Sequence, residues 1–416
     1  MKNIYLLVFS CFSVLISHAQ ISQPTQPNTG PGGKDYTHGT VTQYDYGTNG
    51  SGSDFWLYEP ANPKPDSANV VVFIHGLGMT NPKYYGAFIK HLVRKGNIVI
   101  YPRYQKDLNT SNTTFNDSCA KGILRALDTL QQPGHVKPRI ENYFVLGHSV
   151  GGVLTANMTM LHQQYGLPKP LTAFSMQPGA ASFLMNSYAA FPADVKYLIA
   201  VGENDIIVGT GPGTTIYNQS VLAPTSHKNL IKHVADNTGS PAITATHDEP
   251  GAPDAAYDNA ETNLFIQFTN GKIDAVDYYC YWKLQDALMD CALQNQNCDM
   301  AFGDTPLQHG MGNWSNGTPV KKLEVTPAAV TDLVNPTDSR IQINYQPLSK
   351  SISIRIPNLI SDEVYLFQLY DVNGKLIHVN EIASINEQLY TGELSGVYVY
   401  QLISNKGTLK TGKLQL

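Results

Sequence analysis

The stretch "FVLGHSVGG", Phe144 to Gly152, decides the fold. Upstream, "NYFVLG" (142–147) has the aromatic and β-branched content of a short buried strand. Downstream, "VGGVLTANMTMLHQQYG" sets Val150, Val153, Leu154, Met158 and Leu161 at helical spacing. The chain must therefore turn from strand to helix at Ser149. A serine in such a bend adopts strained backbone angles, and its neighbours two positions away must be tiny. Gly147 and Gly151 meet that demand, and Gly152 lets the helix lie close to the sheet. The helix start behind the hydroxyl presents free N–H groups and a positive dipole end. A plain glycine-rich turn with a capping serine is the bland alternative, and the strand before and helix after weigh against it. A phosphate-binding loop fits poorly, because no Gly-Lys-Ser/Thr follows.

Outward from this bend, apolar strands and amphipathic helices alternate. "NVVVFIHG" (69–76) reads as a strand and 81–96 as a helix with Tyr85, Phe88, Ile89 and Leu92 inward. "NIVIYP" (97–102) is a strand and 115–131 a helix carrying Ile123, Leu127 and Leu130; further strands fall at 171–176 and 195–202. This alternation predicts an α/β class with a mostly parallel central sheet and helices on both faces. From Leu323 the character changes. After a linker-like stretch come short alternating strands, "RIQINY", "SISIRI", "EVYLFQLYD", "GKLIHV", "GVYVYQLI" and "GTLKTGKLQL", with a hairpin signal at "DVNGK". They predict a small all-β, Ig-like sandwich.

The chain has 416 residues, 42% of them hydrophobic, and a net charge of −5. That length implies more than one domain, and the mild acidity argues against nucleic acid as a partner. Lys2, the apolar run "IYLLVFSCFSVLI" and Ser17-His18-Ala19 read as a secretory signal over residues 1–19. The run is shorter than the ~20 residues a membrane-spanning helix needs, so an exported, not membrane-spanning, protein is expected. In an oxidising compartment the four cysteines beyond the signal can pair. Cys280 and Cys291 lie on one expected helix, roughly 16 Å apart, which is too far for a disulfide. Cys291–Cys298, closing a short loop, is favoured; Cys119 and Cys280 pair or remain buried thiols.

The Gly147-His148-Ser149-Val150-Gly151 elbow and the turn His75-Gly76-Leu77-Gly78 after an early strand resemble the α/β-hydrolase superfamily over about residues 40–320. The resemblance implies an α/β-hydrolase fold, Ser149 as nucleophile, and an oxyanion hole from the backbone N–H groups of Leu77 and Val150. It also implies an acid and then a histidine after the serine. Asp205, at the end of the strand "VKYLIAVG", is the chosen acid, with Glu203 and Asp236 as runners-up. His247, at the end of "AITATH", is the chosen base; His227 and His309 compete with it, and His233 reads as a core or edge residue. Such a triad needs no metal and no organic cofactor. "HGLGMTNPKYYGAFIKHLVRKGNIVIYPRYQ" is similar to secreted esterases of the chlorophyllase, dienelactone-hydrolase and polyester-hydrolase neighbourhood.

The last segment resembles the sorting domain of Bacteroidota type IX secretion cargo, on Asn335-Pro336, "LYDVNGKLI" (369–377), "LSGVYVYQL" (394–402) and the Lys-bearing final strand. That implies a partner in the type IX secretion machinery and a secreted or cell-surface location. The expected layout is a signal at 1–19, a flexible lead at 20–40, a catalytic domain at 41–322, a linker at 323–337 and the sandwich at 338–416. The Cys-bearing segment 274–320 either covers the pocket or packs as a helix and loop. The expected function is serine hydrolysis of carboxylic esters, with lipid-like and polyester (PET- or cutin-like) substrates in range. A peptidase or amidase on the same fold and a non-catalytic surface binding protein are the alternatives.

Overall fold

The computed structural model describes residues 20–47, 52–180, 182–224, 226–259 and 271–326. It also describes 341–416 apart from 348, 358, 360–364, 372–375, 393, 405 and 406. The expected signal (1–19) and most of the expected linker (327–337) thus lie outside the described residues.

Within residues 40–326 the described strands are β1 (Thr40–Asp45), β2 (Phe55–Ala61), β3 (Ser67–Ile74), β4 (Asn97–Pro102), β5 (Lys137–His148), β6 (Thr172–Met176), β7 (Lys196–Gly202), β8 (Lys228–His233) and β9 (Glu324–Thr326). They form one nine-stranded sheet in the order β1-β2-β4-β3-β5-β6-β7-β8-β9. The six strands from β4 to β8 in that order run parallel, while β1, β2 and β9 are antiparallel additions at the edges.

The helices are α1 (Gly86–Arg94), α2 (Phe115–Thr129), α3 (Val150–Met160), the one-turn α4 (His162–Tyr165), α5 (Gly211–Gln219), α6 (Trp282–Gln294) and the short α7 (Cys298–Ala301) and α8 (Pro306–His309). Parallel strands covered on both faces are continuously apolar, and β3 shows why. Val70, Val72 and Ile74 join one core with Ile123 of α2, Val153 and Leu154 of α3 and Ile216 of α5. Val71 and Phe73 point the other way, into a core with Phe88 and Leu92 of α1 and Leu284 and Leu288 of α6.

Two expected segments differ in detail. The lead makes specific contacts with distant parts of the chain. Gln20 and Gln23 donate to the carbonyls of Ser240 and Pro241, and Ser22 exchanges hydrogen bonds with Ser315. The Gly32 amide reaches Asp286, and Tyr279 Oη donates to Thr25 O. The proline-rich backbone, short of internal partners, is satisfied by these distant groups. Second, the stretch read as linker from 323 contributes β9, which pairs with the free edge of β8 and so removes an open strand edge. Of the two readings left open for segment 274–320, the described residues show packing. A π-helical turn, Asp277–Tyr281, leads into α6, with Tyr281 buried near Phe174 and Trp282 stacked on His91. Cys291 and Cys298 form the expected disulfide, with Cα atoms 4.7 Å apart, and Cys119 and Cys280 are buried free thiols.

The C-terminal residues form two antiparallel sheets: β10 (Gln342–Gln346), β11 (Ser351–Arg355) and β14 (Asn386–Tyr390) in one, and β12 (Tyr365–Tyr370), β13 (Leu376–Glu381), β15 (Val397–Ser404) and β16 (Gly407–Gln415) in the other. Ile343, Ile352, Ile354, Phe367, Leu369 and Leu402 fill the space between them, which makes a sandwich. The expected "DVNGK" turn falls on residues 372–375, outside the described residues; β12 and β13 on either side pair antiparallel.

Candidate active site

Ser149 sits between β5 and α3 with φ 56° and ψ −121°, a strained conformation for a residue with a side chain. The glycines around it are explained by contact. A Cβ on Gly147 would stand 2.4 Å from Gly151 O, and one on Gly151 would stand 2.1 Å from Ile74 O. The bend thus requires glycine on both sides. Ser149 retains only 8% exposure, so the hydroxyl lies just beneath the rim of the sheet.

The structure brings Ser149, His247 and Asp205 into one hydrogen-bonded chain. His247 Nε2 is 3.0 Å from Ser149 Oγ, and His247 Nδ1 is 2.8 Å from Asp205 Oδ2. A carboxylate only accepts, so Nδ1 carries the proton and Nε2 is left as acceptor for the serine O–H. Asp205 Oδ1 accepts the amides of Ile207 and Val208, each at 3.0 Å. Burial works against the charge of Asp205, but the His247 bond, its field and these two amides prevail and hold the carboxyl below its usual range.

The turn after β3 lies beside the serine: a Cβ on Gly76 would stand 3.4 Å from Ser149 Cβ. The Met79 amide closes the turn onto Gly76 O at 3.0 Å, with Gly78 at φ 74°, and the Gly78 amide is taken by Gln105 Oε1 at 2.7 Å. That leaves the amide of Leu77, and that of Val150 at the start of α3, with no protein acceptor among the described residues. The His75 ring takes no part. It is stacked on Tyr104 at 4.2 Å, and burial lowers its pKa to about 3.

The runners-up are engaged elsewhere. Asp236 accepts from Trp314 Nε1 (3.0 Å), the Lys321 amide (2.9 Å) and Thr238. Glu203 accepts the Ala235 amide. His227 precedes β8, at the sheet end opposite Ser149; His233 closes β8 fully buried, its pKa lowered by burial to about 4; His309 lies 3.6 Å from Asp304 on α8.

Several supporting residues carried no sequence signal. Gln177, at φ 44° after β6, donates to Thr246 O at 2.7 Å. The Asn204 amide donates to Ala245 O, and Glu249 accepts from Thr244 Oγ1 at 2.5 Å. These bonds hold the loop that ends in His247. Their spacing along the chain follows no motif.

Residues 60–178 match the family model for chlorophyllase. The match supports the α/β-hydrolase superfamily and, at a coarse level, an ester hydrolase. It spans the Gly76 turn and the Ser149 elbow and ends before Asp205 and His247. A comparison with curated proteins returned no match.

Proposed function

We propose that the protein is an exported serine hydrolase of carboxylic esters, built on an α/β-hydrolase fold. One observation carries this reading: Ser149 Oγ lies 3.0 Å from an imidazole whose other nitrogen lies 2.8 Å from a buried carboxylate. A serine hydroxyl is a poor nucleophile until such a base takes its proton. His247 Nε2 accepts that proton as Oγ attacks the ester carbonyl, and Asp205 keeps the ring in the needed tautomer and stabilises its charged form. The amides of Leu77 and Val150 donate to the oxyanion. The tetrahedral species collapses as His247 returns the proton to the leaving alkoxide. Water, deprotonated by the same ring, then attacks the acyl-enzyme and releases the acid and the free serine.

Apolar esters are the favoured substrates. Ile206 and Ile207 follow the acid directly and are 92% and 70% exposed, an unusual placement for two adjacent isoleucines. Their loop is pinned by the Asp205 carboxylate, so the apolar rim is a built feature. Lipid-like and polyester substrates suit such a rim.

The test is an ester panel, including p-nitrophenyl acyl chains and polyester film, run on wild type and Ser149→Ala. Hydrolysis by the first and none by the second is expected; equal rates contradict the reading. Export rests on the composition of residues 1–19 and on the terminal sandwich as a sorting module. Cell fractionation with and without residues 341–416 tests it, retention inside the cell without them being the expected result.

A further inference from the structure

Behind the elbow, three loops meet through two buried side chains that the mechanism above does not use. The Gly76 amide donates to Tyr85 Oη at 3.0 Å, Tyr85 Oη is 2.8 Å from His148 Nδ1, and His148 Nε2 is 2.8 Å from the backbone carbonyl of His247. Tyr85 is 0% exposed and His148 3%. The direction of each bond follows from the far end. The carbonyl only accepts, so Nε2 of His148 carries a proton. Burial first, and the neighbouring His247 second, push His148 well below the ordinary histidine range and keep the ring neutral. Its Nδ1 is then an acceptor, so Tyr85 donates to it, and the Tyr85 oxygen is left to receive the Gly76 amide.

Only one arrangement of protons satisfies this chain. Any other leaves a buried polar group unpaired, which is costly. The two ends of the chain are functional neighbours: Gly76 precedes the oxyanion donor Leu77, and the carbonyl belongs to the base itself. His148 adjoins the nucleophile and lies 4.7 Å, centroid to centroid, from the His247 ring.

We infer that Tyr85 and His148 are positioning residues that fix the oxyanion turn and the His247 backbone relative to each other and to Ser149. The inference rests on the reading of Ser149 as nucleophile. Packing alone would be served as well by phenylalanine at either position, and that is the contrast to test.

In the full chain, Tyr85→Phe removes the acceptor of Gly76 and the donor to His148 with little change in volume. The expected result is a fall in kcat of about tenfold to a hundredfold, the size of effect that small misplacements produce, with KM within about twofold. Binding of an alkyl boronic acid, which mimics the tetrahedral species, should weaken by the same factor as kcat/KM. His148→Gln retains a donor for the His247 carbonyl and should recover part of what His148→Phe loses. The double variant Tyr85→Phe/His148→Phe should lose less than the product of the two single losses, because the two residues share one bond. Should Tyr85→Phe not fold, the pair of His148 variants carries the same contrast. An active wild type with an unimpaired Tyr85→Phe, or with His148→Phe equal to His148→Gln, overturns the relay and leaves the proposed function standing. A wild type inactive on esters and unlabelled by fluorophosphonate overturns the proposed function, and this inference with it.

Discussion

The two halves of the candidate site are built by different means. The nucleophile half lies within residues 60–178, the span that matches the chlorophyllase model, and its Ser149 elbow is held by backbone sterics. At the elbow Gly147 and Gly151 are dictated by backbone oxygens 2.4 and 2.1 Å from where a Cβ would sit. The acid–base half is held by side-chain hydrogen bonds among β6, β7 and the loop to His247: Gln177 to Thr246, Asn204 to Thr244, Glu249 to Thr244. Sterics at a bend write a short local pattern. A web of side-chain bonds writes none, because many residues and spacings can make it.

That contrast can be pressed from both sides. The largest effects should come from the reacting groups: Ser149→Ala and His247→Ala should each lower kcat/KM about 10⁵- to 10⁶-fold, read by the ester panel. A His247→Ala enzyme near wild type would detach the acid–base half from the chemistry. Asp205→Asn should cost about 10⁴-fold in kcat, since the amide favours the wrong tautomer of His247. On the nucleophile half, Gly151→Ala drives a Cβ to 2.1 Å from Ile74 O. It should destabilise by about 3–5 kcal/mol, seen in chemical denaturation; a neutral result would break the steric account.

Asp236→Ala should cost about 2–3 kcal/mol by stranding the buried Trp314 Nε1 and two amides. Its carboxyl has a pKa of about 2; burial opposes the shift, and hydrogen bonds from Lys321, Thr238 and Trp314 outweigh it. The folded value lies below the unfolded one, so this stabilisation is complete above about pH 4 and fades as pH falls towards 2. The gap in Tm between wild type and Asp236→Ala should narrow over that window. The smallest effect is expected from Glu249→Gln, which keeps one oxygen acceptor: about 1 kcal/mol or less, a few-fold in kcat, with KM unchanged.

Legibility in the sequence follows the same division. The strand–turn–helix at Ser149, the alternation of strands and helices, and the Cys291–Cys298 pair could be read because each depends on neighbours within about a dozen residues. The antiparallel strands β1, β2 and β9 could not. β2 (Phe55–Ala61) is buried on both faces and shows no alternation, and the three-residue β9 exists only because β8 offers an edge. In the sandwich, β14 was missed because "NEQLY" turns only Leu389 inward. The lead at 20–40 reads as flexible from its glycines and prolines, yet it has partners at 240–242, 274–286 and 315, more than 200 residues away. His148 reads as part of the elbow and Tyr85 as an inward helix residue, and their link to Gly76 and His247 is purely tertiary.

The central claim is that the Ser149 hydroxyl is activated by His247. Fluorophosphonate labelling of the intact protein, mapped by mass spectrometry, tests it most directly. The expected result is one phosphonyl adduct per chain, on Ser149, formed at least a hundredfold more slowly in His247→Ala and absent in Ser149→Ala. An adduct on another residue, or labelling of Ser149 at the wild-type rate without His247, would contradict it.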